Sequence, residues 1–340
     1  MRPFAHARLA TIGLVTAAPT SPVRPAKPRV LVLGDLVLDV VLQASTPIES
    51  GTDVPGRVEI RLGGSAAVCA RWLANLGARS ALVCAVGRDG AGRSLIAQLR
   101  RDDVTVRAVR IAGHRTGRIG VLVAPNGERS FVADRRAATR MEPEDLKPEW
   151  FDDLDLIHLP AYSLLVEPLG SASARAVELA RGRSPRGVRV SVDLASVGPL
   201  LAHGRREALE LIASLRPDLL FATEIEAEAL LGRHVPEGLL DLAAIAVIKR
   251  GSRGARVFAR VDHGQTEAEP PLQFDIATTP VPVTDTTGAG DAFDAGFISG
   301  WLGALASGHV GADALHRATI AGHRAAARHL RSPRTELPPG

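Results

Sequence analysis

Short apolar-rich runs that alternate with stretches of helical periodicity constrain this chain more than any other feature in it. Residues 30–33 are an unbroken Val-Leu-Val-Leu, and comparable runs lie at 81–86, 156–159, 188–192, 219–221 and 244–248. A strand of that kind is buried on both faces, as in a parallel sheet covered by helices. Helical spacing follows at 65–76, 93–101, 172–181, 205–214, from 224 onward, and again at 289–305 and 312–330. Cys69, Trp72, Leu73 and Leu76, with Gly77 as a stop, typify it. Repeated strand–helix alternation implies an α/β fold: a central, mostly parallel sheet with helices on both faces. Aromatic residues are only 4% of the chain, so Ala, Val, Leu and Ile must build the core.

The rhythm breaks twice. Residues 57–62 alternate polar and apolar, and 104–134 holds several short strand-like pieces around the turn signal Pro125-Asn126-Gly127-Glu128. Together the pieces at about 40–62 and 104–134 predict a small β-sheet lid within one domain spanning 29–331. Residues 1–28, Pro-rich and only mildly apolar at 9–18, are expected to form a disordered extension rather than a signal peptide, and 332–340 a tail.

Several function classes fall away. No run approaches the roughly 20 apolar residues that span a bilayer, so no membrane partner is expected. The net charge of +4 is not gathered into a basic, aromatic-laced patch, which argues against nucleic acid. Cys69 and Cys84 sit in apolar runs and read as buried free thiols. The ten histidines form no HxxxH or HExxH pair, and His158 reads as a satisfied core residue. The segment Gly87 to Ser94 nearly spells a P-loop, but Arg93 fills the lysine slot, so a strand-to-helix turn is the better reading.

The chemistry concentrates in Asp285-Thr286-Thr287-Gly288-Ala289-Gly290-Asp291-Ala292-Phe293. Phe293, Phe297, Ile298, Trp301 and Leu302 continue it as a helical stripe, so the glycines stand at a helix entrance. Unpaired N–H groups converge there and the helix dipole favours an anion. Asp291, in the first turn, is placed to take a proton from a hydroxyl. Glycine spacing alone is equally served by a tight turn with a capping aspartate. Asp294, one turn on, is the rival base, but it lies past the open N–H groups.

This segment resembles the C-terminal signature of the ribokinase-like, or PfkB-type, carbohydrate kinases. Gly63-Gly64-Ser65-Ala66-Ala67, entering an Ala-rich helix, is similar to that family's N-terminal signature, and the order of elements agrees from about residue 29 to 330. The resemblance implies a ribokinase-like fold and ATP-dependent phosphotransfer to an alcohol of a sugar or sugar-like molecule. It implies Asp291 as base, with Gly288, Ala289 and Gly290 as the anion hole. Asp39, Gly63 and Gly64 would bind the sugar. Lys249, Gly251, Gly254 and His323 would border the nucleotide, with His323 near adenine. Glu226 would organise Mg²⁺ and its waters, and Asp285 would help hold a monovalent cation such as K⁺. Small-molecule partners, a cytoplasmic location and compatibility with a homodimer follow from the same likeness.

Three departures stand out. Val37 and Val68 occupy positions where the family commonly carries Asn in or beside the sugar pocket, and Thr223 replaces the Asn of its Asn-x-x-Glu magnesium motif. They suggest a less polar or differently shaped acceptor. The alternatives are a nucleoside kinase of the same fold, or a sugar- or nucleotide-binding regulatory protein that has lost turnover. Arg135 and Arg136 could meet an anionic substrate, although a solvated turn is the plainer reading.

Overall fold

The apolar runs become the strands of one large sheet. The computed structural model describes residues 27–124, 129–202, 204–232, 235–260, 270–283, 285–332 and 336–337. Almost all of the expected N-terminal extension, the turn at 125–128 and most of the C-terminal tail therefore lie outside the described residues.

In chain order the strands are β1 (Arg29–Leu33), β2 (Val37–Ala44), β3 (Gly56–Gly63), β4 (Arg79–Gly87), β5 (Thr105–Ile111), β6 (Arg118–Val123) and β7 (Arg129–Asp134), followed by β8 (Leu156–Pro160), β9 (Arg189–Asp193), β10 (Leu219–Thr223), β11 (Ile245–Lys249), β12 (Ala255–Ala259) and β13 (Leu272–Ile276). The helices are α1 (Ser65–Asn75), α2 (Gly90–Arg101), α3 (Leu169–Arg183), the single turn α4 (Val197–Leu200), α5 (Arg205–Leu215), α6 (Glu224–Leu231), α7 (Ala289–Ala306) and α8 (Gly311–Arg331). Nine strands form the large sheet in the order β13-β12-β11-β10-β9-β8-β1-β4-β5. All neighbours are parallel except β11–β12 and β12–β13.

Strand pleating sends alternate residues to opposite cores. Val30 and Val32 of β1 join the cluster that holds apolar residues of α1, α2, α7 and α8, whereas Leu31 and Leu33 join that of α3, α5 and α6. Both cysteines are buried and free. His158 is buried with Nδ1 3.0 Å from Ser191 Oγ. Burial pushes its pKa down to about 4, the behaviour of a neutral core histidine. Asp89 caps α2 by accepting from Gly92 N–H at 3.0 Å, so the P-loop-like segment is a capped strand-to-helix turn.

A second sheet, β3-β2-β6-β7, packs around its own cluster of Val37, Val41, Ile119, Val121, Val123 and Ala138. One expected lid piece does not belong to it. Residues 105–111 form β5, which pairs in parallel with β4 at the edge of the large sheet, from Ala81↔Thr105 to Gly87↔Ile111. As an edge strand it alternates buried Val106 with exposed Thr105 and Arg107. From sequence that pattern cannot be told from a one-sided lid strand.

Candidate active site

The parallel strands β9, β10 and β11 end side by side at Asp193, Thr223 and Lys249, the carboxyl edge where open α/β sheets bind ligands. A cavity of about 530 Å³ opens there. It gathers most of the residues that the sequence singled out: Gly288, Ala289, Gly290 and Asp291, with Glu226, Lys249, Gly251, Gly254 and His323.

Gly288 is the N-cap of α7, with φ 80°. A Cβ there would lie 3.0 Å from the His329 ring, so both conformation and space call for glycine. Ala289 N–H donates to Thr286 C=O at 3.1 Å, which removes it from the expected anion hole. Among the described residues the N–H groups of Gly288, Gly290 and Asp291 carry no hydrogen bond to the protein. Those three are the open donors at the head of α7.

Asp291 Oδ1 accepts from Ser65 Oγ at 2.5 Å. Burial raises its pKa to about 7; Asp193 and Asp35 add to the rise, while Ser65 and Lys249 oppose it. A carboxylate poised near neutrality suits a general base. Asp294 is fully buried, with Oδ2 3.1 Å from Lys249 Nζ and Oδ1 unpartnered among the described residues. Asp291 is part-exposed and lines the cavity, whereas Asp294 does not line it.

Lys249 is the hub beneath the helix entrance. Its Nζ donates to Asp193 at 2.8 Å and to Asp294 at 3.1 Å. Burial alone would lower its pKa, but Asp193, Asp294 and Glu226 together raise it, so it stays protonated. A Cβ on Gly290 would come within 3.4 Å of Nζ, which places this cation against the first turn of α7. Glu226 is fixed by a reciprocal capping box: Thr223 N–H donates to Oε2 at 2.8 Å, and Glu226 N–H donates to Thr223 Oγ1 at 3.3 Å. His323 lies against Phe293, centroids 5.4 Å apart, and its Nε2 is buried with no partner among the described residues.

The expected acceptor residues meet at the lid hinge. A Cβ on Gly63 would fall 2.0 Å from Asp39 Oδ1, so that carboxylate rests against the bare glycine. Gly64 is the N-cap of α1. Burial, then Asp35, raises the Asp39 pKa to about 7 against the pull of Arg61 and Arg135. Asp285 is held by two arginines from the small sheet and by its own turn. Its oxygens accept from Arg61 Nη1 at 2.8 Å, Arg129 Nη1 at 3.3 Å and its neighbour Thr287 N–H at 3.0 Å.

The departures acquire structural roles. Val37 is buried in the lid cluster, Val68 packs 3.3 Å from where a Gly288 Cβ would be, and Thr223 caps α6. Arg135 is no solvated turn: it donates to Asp35 at 2.7 Å and lies 4.1 Å over the Tyr162 ring. Arg136 is exposed and pairs with Asp134. Sequence reasoning missed Ser65, although it follows Gly63-Gly64 directly, and set Arg135 aside as a solvated turn.

Comparison with known proteins identifies the family. The model of the pfkB family carbohydrate kinases matches residues 27–337. An ATP-dependent ribose-1-phosphate kinase of Halopiger xanaduensis is 31% identical over 279 residues, 81% of this chain and 85% of that protein. A probable fructokinase-2 of Arabidopsis thaliana is 28% identical over 278 residues, 78% of each. The adenosine kinase of Sinorhizobium meliloti superposes with a TM-score of 0.76 at 23% identity, covering 92% of this chain and 98% of that one. A putative ribokinase II of E. coli, solved with ATP and Mg²⁺, gives 0.72 at 21%, covering 90% and 94%. Matched along nearly its whole described length, the chain belongs to the pfkB family of carbohydrate kinases, enzymes that move phosphate from ATP onto an alcohol.

Proposed function

We propose that the cavity binds ATP with its γ-phosphate at the head of α7, and that a hydroxyl of a sugar-like acceptor beside Asp39 and Gly63 attacks it. The observation that carries this is the pairing of a base with open donors: Asp291 is tied by Ser65 where three N–H groups without a partner among the described residues begin α7. Asp291 takes the hydroxyl proton as the oxygen approaches phosphorus. The N–H groups of Gly288, Gly290 and Asp291 meet the negative charge that develops, and Lys249 offsets it from below. Asp39 and Asp35 accept hydrogen bonds from the acceptor's other hydroxyls. His323 Nε2 offers the polar contact to the adenine.

Mg²⁺ needs only one or two carboxylates beside phosphate oxygens and water. Glu226 and Asp193 line the cavity and supply them, and no group of three potential ligands converges among the described residues, as a dedicated cage would require. Bound there, Mg²⁺ supplies charge neutralisation at the phosphates. Use of ATP favours a cytoplasmic reaction. Separately, no helix among the described residues is long and apolar enough to cross a membrane.

Phe131 is the one aromatic residue of the four lid strands, a poor platform for stacking a base, so a sugar is favoured over a nucleoside. The test is an ADP-release screen over pentoses, hexoses, ribose 1-phosphate, keto-deoxy acids and nucleosides. Turnover is expected on a sugar or sugar derivative. Turnover confined to nucleosides would move the assignment to a nucleoside kinase, and none on any acceptor would contradict phosphotransfer.

A further inference from the structure

The anion-hole turn is gripped from the lid. Arg61 lies on β3 and Arg129 opens β7, the two edge strands of the small sheet. Both reach Asp285-Thr286-Thr287, the three residues before Gly288. Arg61 Nη1 bonds Asp285 Oδ2 at 2.8 Å, and the Arg61 side chain is further fixed by Glu59. Arg129 spreads its fork over the whole turn: Nη1 bonds Asp285 Oδ1 at 3.3 Å and Thr287 Oγ1 at 2.7 Å, and Nη2 bonds Thr286 Oγ1 at 2.5 Å. Both side chains are more than four-fifths buried.

The opposite side of the same turn is fixed to the body of the protein. Thr287 C=O accepts from His329 Nε2 at 2.7 Å, and His329 Nδ1 accepts the Trp72 indole N–H at 2.9 Å. An indole only donates, so Nδ1 is bare and Nε2 carries the proton. One contact set belongs to α1 and α8, the other to a sheet with its own apolar cluster.

We infer that Arg61 and Arg129 are positioning residues that align the anion-hole turn when the lid covers the acceptor, and that their guanidinium groups are the counter-charge of Asp285 in that closed arrangement. The proposal rests on the assignment of Gly288, Gly290 and Asp291 as the anion hole. With the lid closed, two guanidinium groups on one carboxylate leave no fit for a monovalent cation at that position, so turnover proceeds without K⁺. Displacing the turn by an ångström is enough to cost roughly 10²-fold in rate. A lid held away from the acceptor leaves the turn without its arginines, which links phosphotransfer to acceptor binding and restrains hydrolysis of ATP.

The experiment compares wild type with Arg129→Gln and Arg129→Lys. In Arg129→Gln, kcat on the best acceptor is expected to fall about 10- to 100-fold, while the ATP dissociation constant, measured by titration calorimetry, stays within about twofold. Lys restores charge but cannot span two threonines and a carboxylate, so Arg129→Lys stays closer to Gln than to wild type. Replacing choline chloride by KCl at constant ionic strength should leave both wild-type turnover and its thermal midpoint unchanged. Three results would overturn the inference: an Arg129→Gln kcat within twofold of wild type, full activity in Arg129→Lys, or a wild type that K⁺ activates or stabilises. Loss of ATP binding together with kcat would also count against it, as it would show general damage to the site. Wild type inactive on every acceptor is a separate failure, that of the proposed function itself.

Discussion

Ser65→Ala removes the one side-chain donor that the proposed base has among the described residues. The Ser65 hydroxyl sits 2.5 Å from Asp291 Oδ1 and stabilises its ionised form. A hydrogen bond to a charged group contributes about 1.5–3 kcal/mol, and 1.36 kcal/mol corresponds to one pKa unit. Its loss should lift the Asp291 pKa from about 7 by roughly one to two units. At pH 7 the ionised fraction then falls from about half to a few per cent, so kcat/KM drops about 5- to 50-fold. Toward pH 9.5 the two enzymes should converge. The substitution itself is mild, since Gly64 rather than Ser65 caps α1. The assay is coupled ADP release from pH 5.5 to 10 at saturating ATP. An unshifted acidic limb, or a loss equal at every pH, would refute the role given to Ser65 and weaken that of Asp291 as the titrating base.

Other perturbations test the surroundings. Lys249→Met strands the carboxylates of Asp193 and Asp294, side chains only 5% and 1% exposed; denaturant unfolding should show a loss of about 3–5 kcal/mol. His323→Phe keeps a ring against Phe293 but deletes the unpartnered Nε2; KM for ATP should rise about 3- to 10-fold with little change in kcat. Asp291→Asn should stabilise the ligand-free protein in a pH-dependent way. A carboxylate raised to about 7 when folded and near 3.9 when unfolded favours the folded state most below pH 4, an advantage lost as pH rises through 7. The variant should therefore match wild type near pH 3 in urea melts, pull ahead of it between pH 4 and pH 7, and exceed it by at least about 1 kcal/mol at pH 8.

The legible parts of this protein were local. Buried parallel strands announce themselves because both faces are apolar, as β1 and β4 show, and the head of α7 does so because glycines and an aspartate precede a helical stripe. What stayed hidden depends on long-range placement. Ser65 and Asp291 are 226 residues apart, and Arg129 is 156 from Asp285. No local pattern sets such distances; the winding of the sheet does. The edge strand β5 was misplaced because charged alternation looks alike on a lid and at a sheet edge. Val37 looked like a pocket residue only by its neighbours in sequence, whereas its side chain fills the lid cluster. Ala289 seemed an anion-hole donor until the turn claimed its N–H for Thr286.

The most direct test of the account pairs two readings on Asp291→Asn. Titration calorimetry should find ATP binding within about threefold of wild type, and phosphotransfer should fall by about 10²–10⁴-fold above pH 7, where wild-type Asp291 is ionised, the gap narrowing toward acid pH. A variant that still transfers phosphate at more than a tenth of the wild-type rate would show that the proton leaves by another route, and that the helix entrance is not where the chemistry happens.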